Sequence, residues 1–149
     1  MKSDEFFKFD TEKMYKTYDI WPDIARDAFK QDLKKIDSFE IDHIVFAGMG
    51  GSGSIGDIIS AILSEKDTHV SIVKGYVLPK TVDSKSIVIV TSASGNTKET
   101  LEILKSAKET DAKIVGFSSG GKLETYCKEN DIFFQKIPVI HSPRASFTR

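Results

Sequence analysis

The sequence has little of what marks secreted, membrane or nucleic-acid-binding proteins. Cys127 is the only cysteine in 149 residues, so no disulfide forms within the chain, as is usual in a reducing cytoplasm. The 21 lysines and arginines nearly balance the 22 aspartates and glutamates, which gives no basic excess for a nucleic acid or an anionic membrane. No apolar run has the length of a signal peptide or a membrane span. We therefore expect a cytoplasmic protein without nucleic-acid or membrane partners.

Two further absences concern binding sites. No His, Cys, Asp or Glu residues have metal-ligand spacing, so no metal site is predicted. No G-K-[ST] follows the glycines of residues 48–54, which excludes a P-loop. Gly48, Gly50 and Gly53 do match the G-x-G-x-x-G pattern of dinucleotide sites, but a nicotinamide cofactor should find an acid after the next strand, where Lys74 stands. No cofactor is expected.

The hydrophobic pattern predicts an α/β fold, because short β-branched runs alternate with stretches of helical periodicity. Strands are predicted over residues 43–47, 69–73, 87–91, 113–117 and 132–136. Helices are predicted from residue 21 to about 35 or 36, over 55–63, from 99 and over 122–130. This alternation with short links predicts a three-layer αβα sandwich around a five-stranded parallel sheet of order 2-1-3-4-5.

The predicted domain covers residues 21–140. Residues 1–20 mix aromatic and charged side chains, and we expect an arm or a short helix there. Residues 141–149 are predicted to be a tail.

Hydroxyl side chains are concentrated between the third strand and the next helix. Residues 91–97, here called the hydroxyl loop, contain four hydroxyls, one amide and one glycine. Free backbone N–H groups and the positive end of a helix dipole meet at such a junction, so the expected ligand is an anion, and a phosphate is the anion that we predict. In the order 2-1-3-4-5, the glycine segment (residues 48–54) faces this loop across the point where the strand order reverses.

A capping box competes with anion binding as the role of this loop. Asn96 and Glu99 have the spacing of an N-cap and its third helical residue, which predicts that Glu99 is structural rather than a catalytic base. Ser92 and Ser94 precede that cap, so capping does not account for them. Their hydroxyls favour an anion site beside the helix.

Two other features each allow two interpretations. Residues 118–121, here called the third turn, read Ser-Ser-Gly-Gly and are either an ordinary strand-to-helix turn or part of the site. Arg144 lies in the tail beside a proline, and it is either a solvated charge or a group that binds a phosphate or a developing enolate oxygen.

Together these motifs resemble the SIS (sugar isomerase) domain, and more narrowly the N-terminal half of archaeal-type bifunctional phosphoglucose/phosphomannose isomerases. The matching segments are GMGGSG at 48–53 with GD at 56–57, SASGNT at 92–97 with ET at 99–100, SSGGKL at 118–123 and PRA at 143–145.

The resemblance implies an SIS-type, flavodoxin-like fold that binds a hexose phosphate. The family pattern assigns the phosphate to the hydroxyls of Ser52, Ser92, Ser94 and Thr97, with Gly51 lending its backbone and Gly50, Gly95 and Asn96 in secondary roles. Arg144 matches the family arginine that stabilises the enediolate, so it is the one catalytic candidate. The family interconverts glucose 6-phosphate or mannose 6-phosphate with fructose 6-phosphate by moving a proton between C1 and C2.

The resemblance also implies what this chain does not supply. Family enzymes carry two SIS domains and dimerise, and their glutamate base and ring-opening histidine and lysine lie in the second half or in a partner subunit. We expect residues 141–149 to lead to a second SIS domain absent from this chain, or the chain to pair with itself. Alone, it should bind a phosphosugar without turning it over. The alternatives are a stand-alone SIS binding or regulatory module, and a nucleotide-binding Rossmann domain, which Lys74 disfavours.

Overall fold

The computed structural model describes residues 8–30, 36 and 40–138, and every structural statement below concerns those residues. Their helices and strands are, in chain order, α1 Met14–Asp19, α2 Trp21–Phe29, β1 His43–Ala47, α3 Gly50–Leu63, β2 His69–Val73, β3 Ser86–Ser92, α4 Lys98–Lys108, β4 Lys113–Ser118, α5 Gly121–Glu129 and β5 Phe133–Lys136.

The strands form one five-stranded sheet in the order β2-β1-β3-β4-β5, and each neighbouring pair is parallel. The predicted fold class and strand order are therefore confirmed. Helix α3 packs on β1 and β2, whereas α4 and α5 pack on β3, β4 and β5. Because crossovers between parallel strands are right-handed, α3 covers one face and α4 and α5 cover the other. This is the predicted three-layer arrangement.

The core lies along the central strands. β3 is buried over nearly its whole length, and its continuous β-branched run is typical of a parallel strand covered on both faces. Side chains that are fully withdrawn from solvent include Val45, Val88, Val90, Ile103, Leu104, Val115, Leu123 and Cys127. Burial raises the pKa of the Cys127 thiol to about 11, so this group is a neutral packing side chain near neutral pH.

The start of α3 differs from its sequence prediction, and the predicted end of α2 lies outside the described residues. α3 begins at Gly50 rather than near residue 55, so most of the glycine segment is the first turn of a helix. α2 begins at Trp21 with a proline in its first turn, as predicted, but the extension past residue 30 falls on residues 31–35, outside the described residues. The predicted tail, residues 141–149, also lies outside them.

None of the described helices is long and apolar enough to cross a membrane.

Gly116 provides a test of packing between β4 and α5. A Cβ built there lies 2.7 Å from the Sγ of Cys127 and 3.0 Å from a methyl carbon of Leu123, and both side chains are fully buried. Gly116→Ala should therefore overpack the core and lower the free energy of unfolding by about 1–3 kcal/mol in urea titrations. Gly75→Ala is the matched control, because a Cβ there meets no described atom within 4 Å. Equal stability of the two variants would contradict this packing.

Candidate functional site

The glycine segment and the hydroxyl loop meet at the carboxyl edge of the sheet. β1 and β3 are hydrogen-bonded neighbours in parallel register, so the segments that follow them emerge side by side. A Cβ built on Gly48 lies 3.0 Å from the Thr91 carbonyl oxygen, which shows how closely the two segments approach. On the other side, the Gly48 N–H donates to the Val73 carbonyl at 3.1 Å and holds the end of β2 against the site.

Two helix N-termini open at this edge. α3 has 14 residues and begins after Met49, and α4 has 11 residues and begins after Thr97. Neither of these N-cap side chains hydrogen-bonds to its own helix. Their first-turn N–H groups carry the positive ends of two helix dipoles, which is the arrangement that binds anions in many proteins. The first turn of α3 also contains no acidic residue that would compete with an anion.

The buried Ser92 side chain stabilises the hydroxyl loop through hydrogen bonds within the loop. The Ser92 side chain is only 2% exposed, its Oγ accepts the Gly95 N–H at 3.1 Å, and it lies 2.9 Å from Thr97 Oγ1. Ser94, in contrast, is exposed, and its Oγ accepts the Asn96 N–H at 3.2 Å. The hydroxyls thus differ in position: Ser92 lies inside the loop and Ser94 lies at its surface.

The predicted capping box is wrong. The N-cap of α4 is Thr97, and the Asn96 side chain turns to other partners. Its Nδ2 donates to the Ser94 carbonyl at 3.0 Å, and its Oδ1 accepts the Lys122 N–H at 3.2 Å in the first turn of α5. Asn96 therefore caps the neighbouring helix rather than its own.

Glu99 lies in the first turn of α4 and affects a side chain of the segment between β2 and β3. Desolvation raises the pKa of Tyr76, and the Glu99 carboxylate raises it further. The capping box was the reason to call Glu99 structural rather than a base, so that role of Glu99 stays a prediction.

The third turn supports the hydroxyl loop from behind. Ser119 donates to the Ala93 carbonyl through both its N–H at 3.1 Å and its Oγ at 2.6 Å, and the Leu123 N–H donates to the Gly95 carbonyl at 2.9 Å. Gly95 has φ +68°, and a Cβ there would overlap the Gly120 carbonyl oxygen. The N-terminus of α5 is thus occupied by the hydroxyl loop, so the structure favours an ordinary turn here.

Of the other predicted site residues, those of the glycine segment are described by the structure and Arg144 is not. Gly50, Gly51 and Ser52 form the first turn of α3, where Gly51 and Ser52 are partly buried. Arg144 lies outside the described residues, so its role stays a prediction. Within residues 8–30, 36 and 40–138, no three His, Cys, Asp or Glu side chains group as a metal site.

Sequence reasoning used Lys74 only as an argument against a dinucleotide and missed its place beside the site. Lys74 directly follows β2, and its Nζ lies 2.6 Å from Asp57 Oδ2 on α3. The signal was present in the sequence, because a residue that follows a parallel strand lies at the carboxyl edge where ligands bind.

Two cavities lie away from these segments. One, of about 740 Å³, is lined by residues around the starts of β4 and β5, including Lys113 and Phe133. The other, of about 670 Å³, lies between α4 and α5 and is lined by Leu101 and Tyr126 among others. Neither is lined by the glycine segment or the hydroxyl loop.

Comparison with known proteins gives relatives with two different names. A bifunctional phosphoglucose/phosphomannose isomerase of Caldicellulosiruptor bescii is 35% identical over 136 residues, which are 91% of this chain and 38% of that protein. Its Aquifex aeolicus namesake is 36% identical over 85% of this chain and 37% of its own length. A D-glucosamine-6-phosphate 4-epimerase of Sulfolobus acidocaldarius is 31% identical over 90% of this chain and 42% of its own length. The chain thus spans less than half of each relative.

Solved structures agree on the fold. An Escherichia coli protein, solved as a complex, superposes with a TM-score of 0.67 at 20% identity, over 99% of this chain and 85% of that one. The Escherichia coli tagatose-6-phosphate ketose/aldose isomerase superposes with a TM-score of 0.54 at 16% identity, over 92% of this chain and 37% of that one. The family model described as "SIS domain" matches residues 39–148, which include both segments of the candidate site. The chain belongs to the SIS domain family.

Proposed function

We propose that this chain is the phosphosugar-binding SIS domain of an aldose–ketose isomerase that interconverts glucose 6-phosphate and mannose 6-phosphate with fructose 6-phosphate. The observation that carries the proposal is the meeting of two helix N-termini and the hydroxyl loop where β1 and β3 end side by side. A dianionic phosphate fits such a site. The names of the Caldicellulosiruptor bescii and Aquifex aeolicus relatives supply the hexose and the reaction.

The phosphate contacts are proposed residue by residue. Ser94 and Thr97 donate their hydroxyl protons from the hydroxyl loop, and Ser52 and the Gly51 N–H donate from the first turn of α3. Ser92 acts through its neighbours: its Oγ accepts the Gly95 N–H and donates to Thr97 Oγ1, which leaves the Thr97 proton for the phosphate. Gly50, Gly95 and Asn96 shape the backbone around these donors.

This arrangement would fix one end of the sugar phosphate while the other end reacts. A proton moves between C1 and C2 through an enediol, and a phosphate clamp places those carbons at a constant distance from the base. Arg144 is proposed to stabilise the enediolate on the strength of the family resemblance. The base and the ring-opening groups are proposed to come from a second SIS domain, since the chain spans 38% of the Caldicellulosiruptor bescii relative.

A stand-alone binding module is the second candidate. The observation in its favour is that Ser52, Ser92, Ser94 and Thr97 all lie in one domain, so phosphate binding needs no second half. Neither candidate predicts turnover by this chain alone, so phosphosugar binding tests the property that the two candidates share.

We also propose a partner surface on α3 and a cytoplasmic location. Ile58 and Ile62 lie one helical turn apart on α3 and are 58% and 70% exposed, which is costly for two isoleucines in a monomer. A second SIS domain, or a second copy of this chain, would cover them. The lone buried thiol of Cys127 fits the reducing cytoplasm.

Ligand-dependent melting tests the proposed substrate. At about ten times its Kd, fructose 6-phosphate should stabilise the fold by about 1.4 kcal/mol and raise the Tm by about 3–6 °C, measured by differential scanning fluorimetry. NAD should leave the Tm unchanged. The same samples should form no glucose 6-phosphate, because the base is proposed to lie elsewhere. Stabilisation by NAD alone would contradict the phosphosugar, and turnover by this chain would contradict the half-enzyme.

Two serine variants separate binding from folding. Ser94→Ala should weaken fructose 6-phosphate binding by about 1–2 kcal/mol, or about 5- to 30-fold in Kd, and leave the free energy of unfolding nearly unchanged because Ser94 is exposed. Ser92→Ala should also lower the free energy of unfolding by about 0.5–1.5 kcal/mol, since it removes the partner of Thr97 Oγ1 and one of the two acceptors of the Gly95 N–H. Calorimetry and urea titration measure the two effects. Unchanged affinity in Ser94→Ala would remove Ser94 from the site.

Oligomeric state tests the partner surface. The unaltered chain should sediment as a dimer at micromolar concentration, and Ile62→Asp should shift it to monomer, because a charge replaces apolar contact. Val77→Asp is the matched control, since Val77 is 79% exposed in the segment between β2 and β3. A monomeric unaltered chain, or equal effects of both variants, would contradict the copy-to-copy contact.

A further inference from the structure

The segment after β2 forms one rim of the proposed phosphate site. Lys74, Gly75 and Tyr76 follow Val73, whose carbonyl accepts the Gly48 N–H at 3.1 Å. Lys74 is paired with α3 through Asp57, and Tyr76 lines one cavity together with Lys98 and Leu101 of α4. The rim therefore lies beside both helices whose N-termini meet at the site.

The Lys74 side chain lies against the first turn of α3. A Cβ built on Gly53 would lie 3.0 Å from Cε of Lys74 and 3.2 Å from its Cγ, so the stem crosses the helix where only glycine leaves room. The ammonium nitrogen is one bond beyond Cε. A positive charge thus stands beside the helix end that is proposed to bind phosphate, and it adds to the partial charge of the helix dipole.

Asp57 holds that ammonium without burying it. The Nζ–Oδ2 distance is 2.6 Å, and the Lys74 and Asp57 side chains are 44% and 49% exposed. An ion pair this open to water contributes little to stability and exchanges partners easily. The lysine stem is long and flexible, so its charge can reach other anions near the same helix turn.

We propose that Lys74 is a phosphate-binding residue whose ammonium is paired with Asp57 in the absence of ligand. When the sugar phosphate binds, the Lys74 ammonium turns from the Asp57 carboxylate to the phosphate monoester. The inference rests on the proposed function, because it assumes a phosphate at the N-terminus of α3. Asp57 is then a positioning residue that keeps Lys74 at the rim and lowers the phosphate affinity by competing for the same ammonium.

A purely structural pair would behave differently. If Lys74 and Asp57 only braced β2 against α3, removing either charge would loosen the glycine segment in the same way, and both single variants would bind phosphate less well. If Lys74 serves the phosphate, the two variants act in opposite directions. The sign of the Asp57 effect therefore distinguishes the roles.

Calorimetric titration of this chain with inorganic phosphate and with fructose 6-phosphate, in low and high salt, tests the proposal. Lys74→Met should raise both Kd values about 3- to 10-fold at low salt and flatten their salt dependence, because one ammonium contact with a dianion is lost. Asp57→Asn should lower both Kd values, and much less so when Lys74→Met is also present. Lys66→Met, in the turn between α3 and β2 at the opposite edge, is the matched control and should bind as the unaltered chain does.

Three results would overturn the proposal. Equal binding by Lys74→Met and Lys66→Met would remove Lys74 from the site while leaving the proposed function intact. Weaker binding by both Lys74→Met and Asp57→Asn would assign the pair a bracing role. Failure of the unaltered chain to bind either inorganic phosphate or fructose 6-phosphate would overturn the proposed function and this inference with it.

Discussion

The parallel pairing of β1 with β3 is the constraint on which the candidate site depends. Val45 and Val88 are register partners with no exposed surface, and this buried contact sets the level at which both strands end. A slip of one residue would turn the side chains of β3 to the wrong face, so the register is strongly held. Because that register is held, the N-termini of α3 and α4 open at the same edge, although nearly 50 residues of chain separate them.

The hydroxyl loop keeps its shape because its inner side is saturated with hydrogen bonds. Ser119 binds the Ala93 carbonyl, Leu123 binds the Gly95 carbonyl, and Asn96 binds the first turn of α5. These contacts occupy the N-terminus of α5, so the three helix ends of the carboxyl edge are not equivalent. A loop whose backbone is held in this way presents the Ser94 hydroxyl in a fixed position, and a preorganised donor binds an anion without the cost of ordering it.

The strands could be predicted from sequence because their signal is local, as the continuous β-branched run of β3 shows. The sequence predictions failed where a residue distant in sequence determines the partner of a side chain. Asn96 has the right spacing for its own helix, but its Oδ1 partner is the Lys122 N–H, 26 positions away, which no local pattern reveals. The same holds for the ion pair between Lys74 and Asp57, which spans 17 positions. Arg144 was identified through the family resemblance, and the described residues do not include it.

The late prediction of the α3 start has a physical reason that also bears on function. Gly50, Gly51 and Gly53 occupy the first turn, and each glycine costs a helix about 1 kcal/mol relative to alanine, so propensity alone places the start further along. Two of these glycines are needed for the shape of the backbone at the start of α3. Gly50 has φ +52°, which turns the chain from β1 into the helix, and Gly53 leaves the space in which the Lys74 stem lies. Alanine has the higher helix propensity, but the positive φ of Gly50 would strain it, and at Gly53 its Cβ would lie 2.6 Å from the Gly48 carbonyl oxygen and against the Lys74 stem.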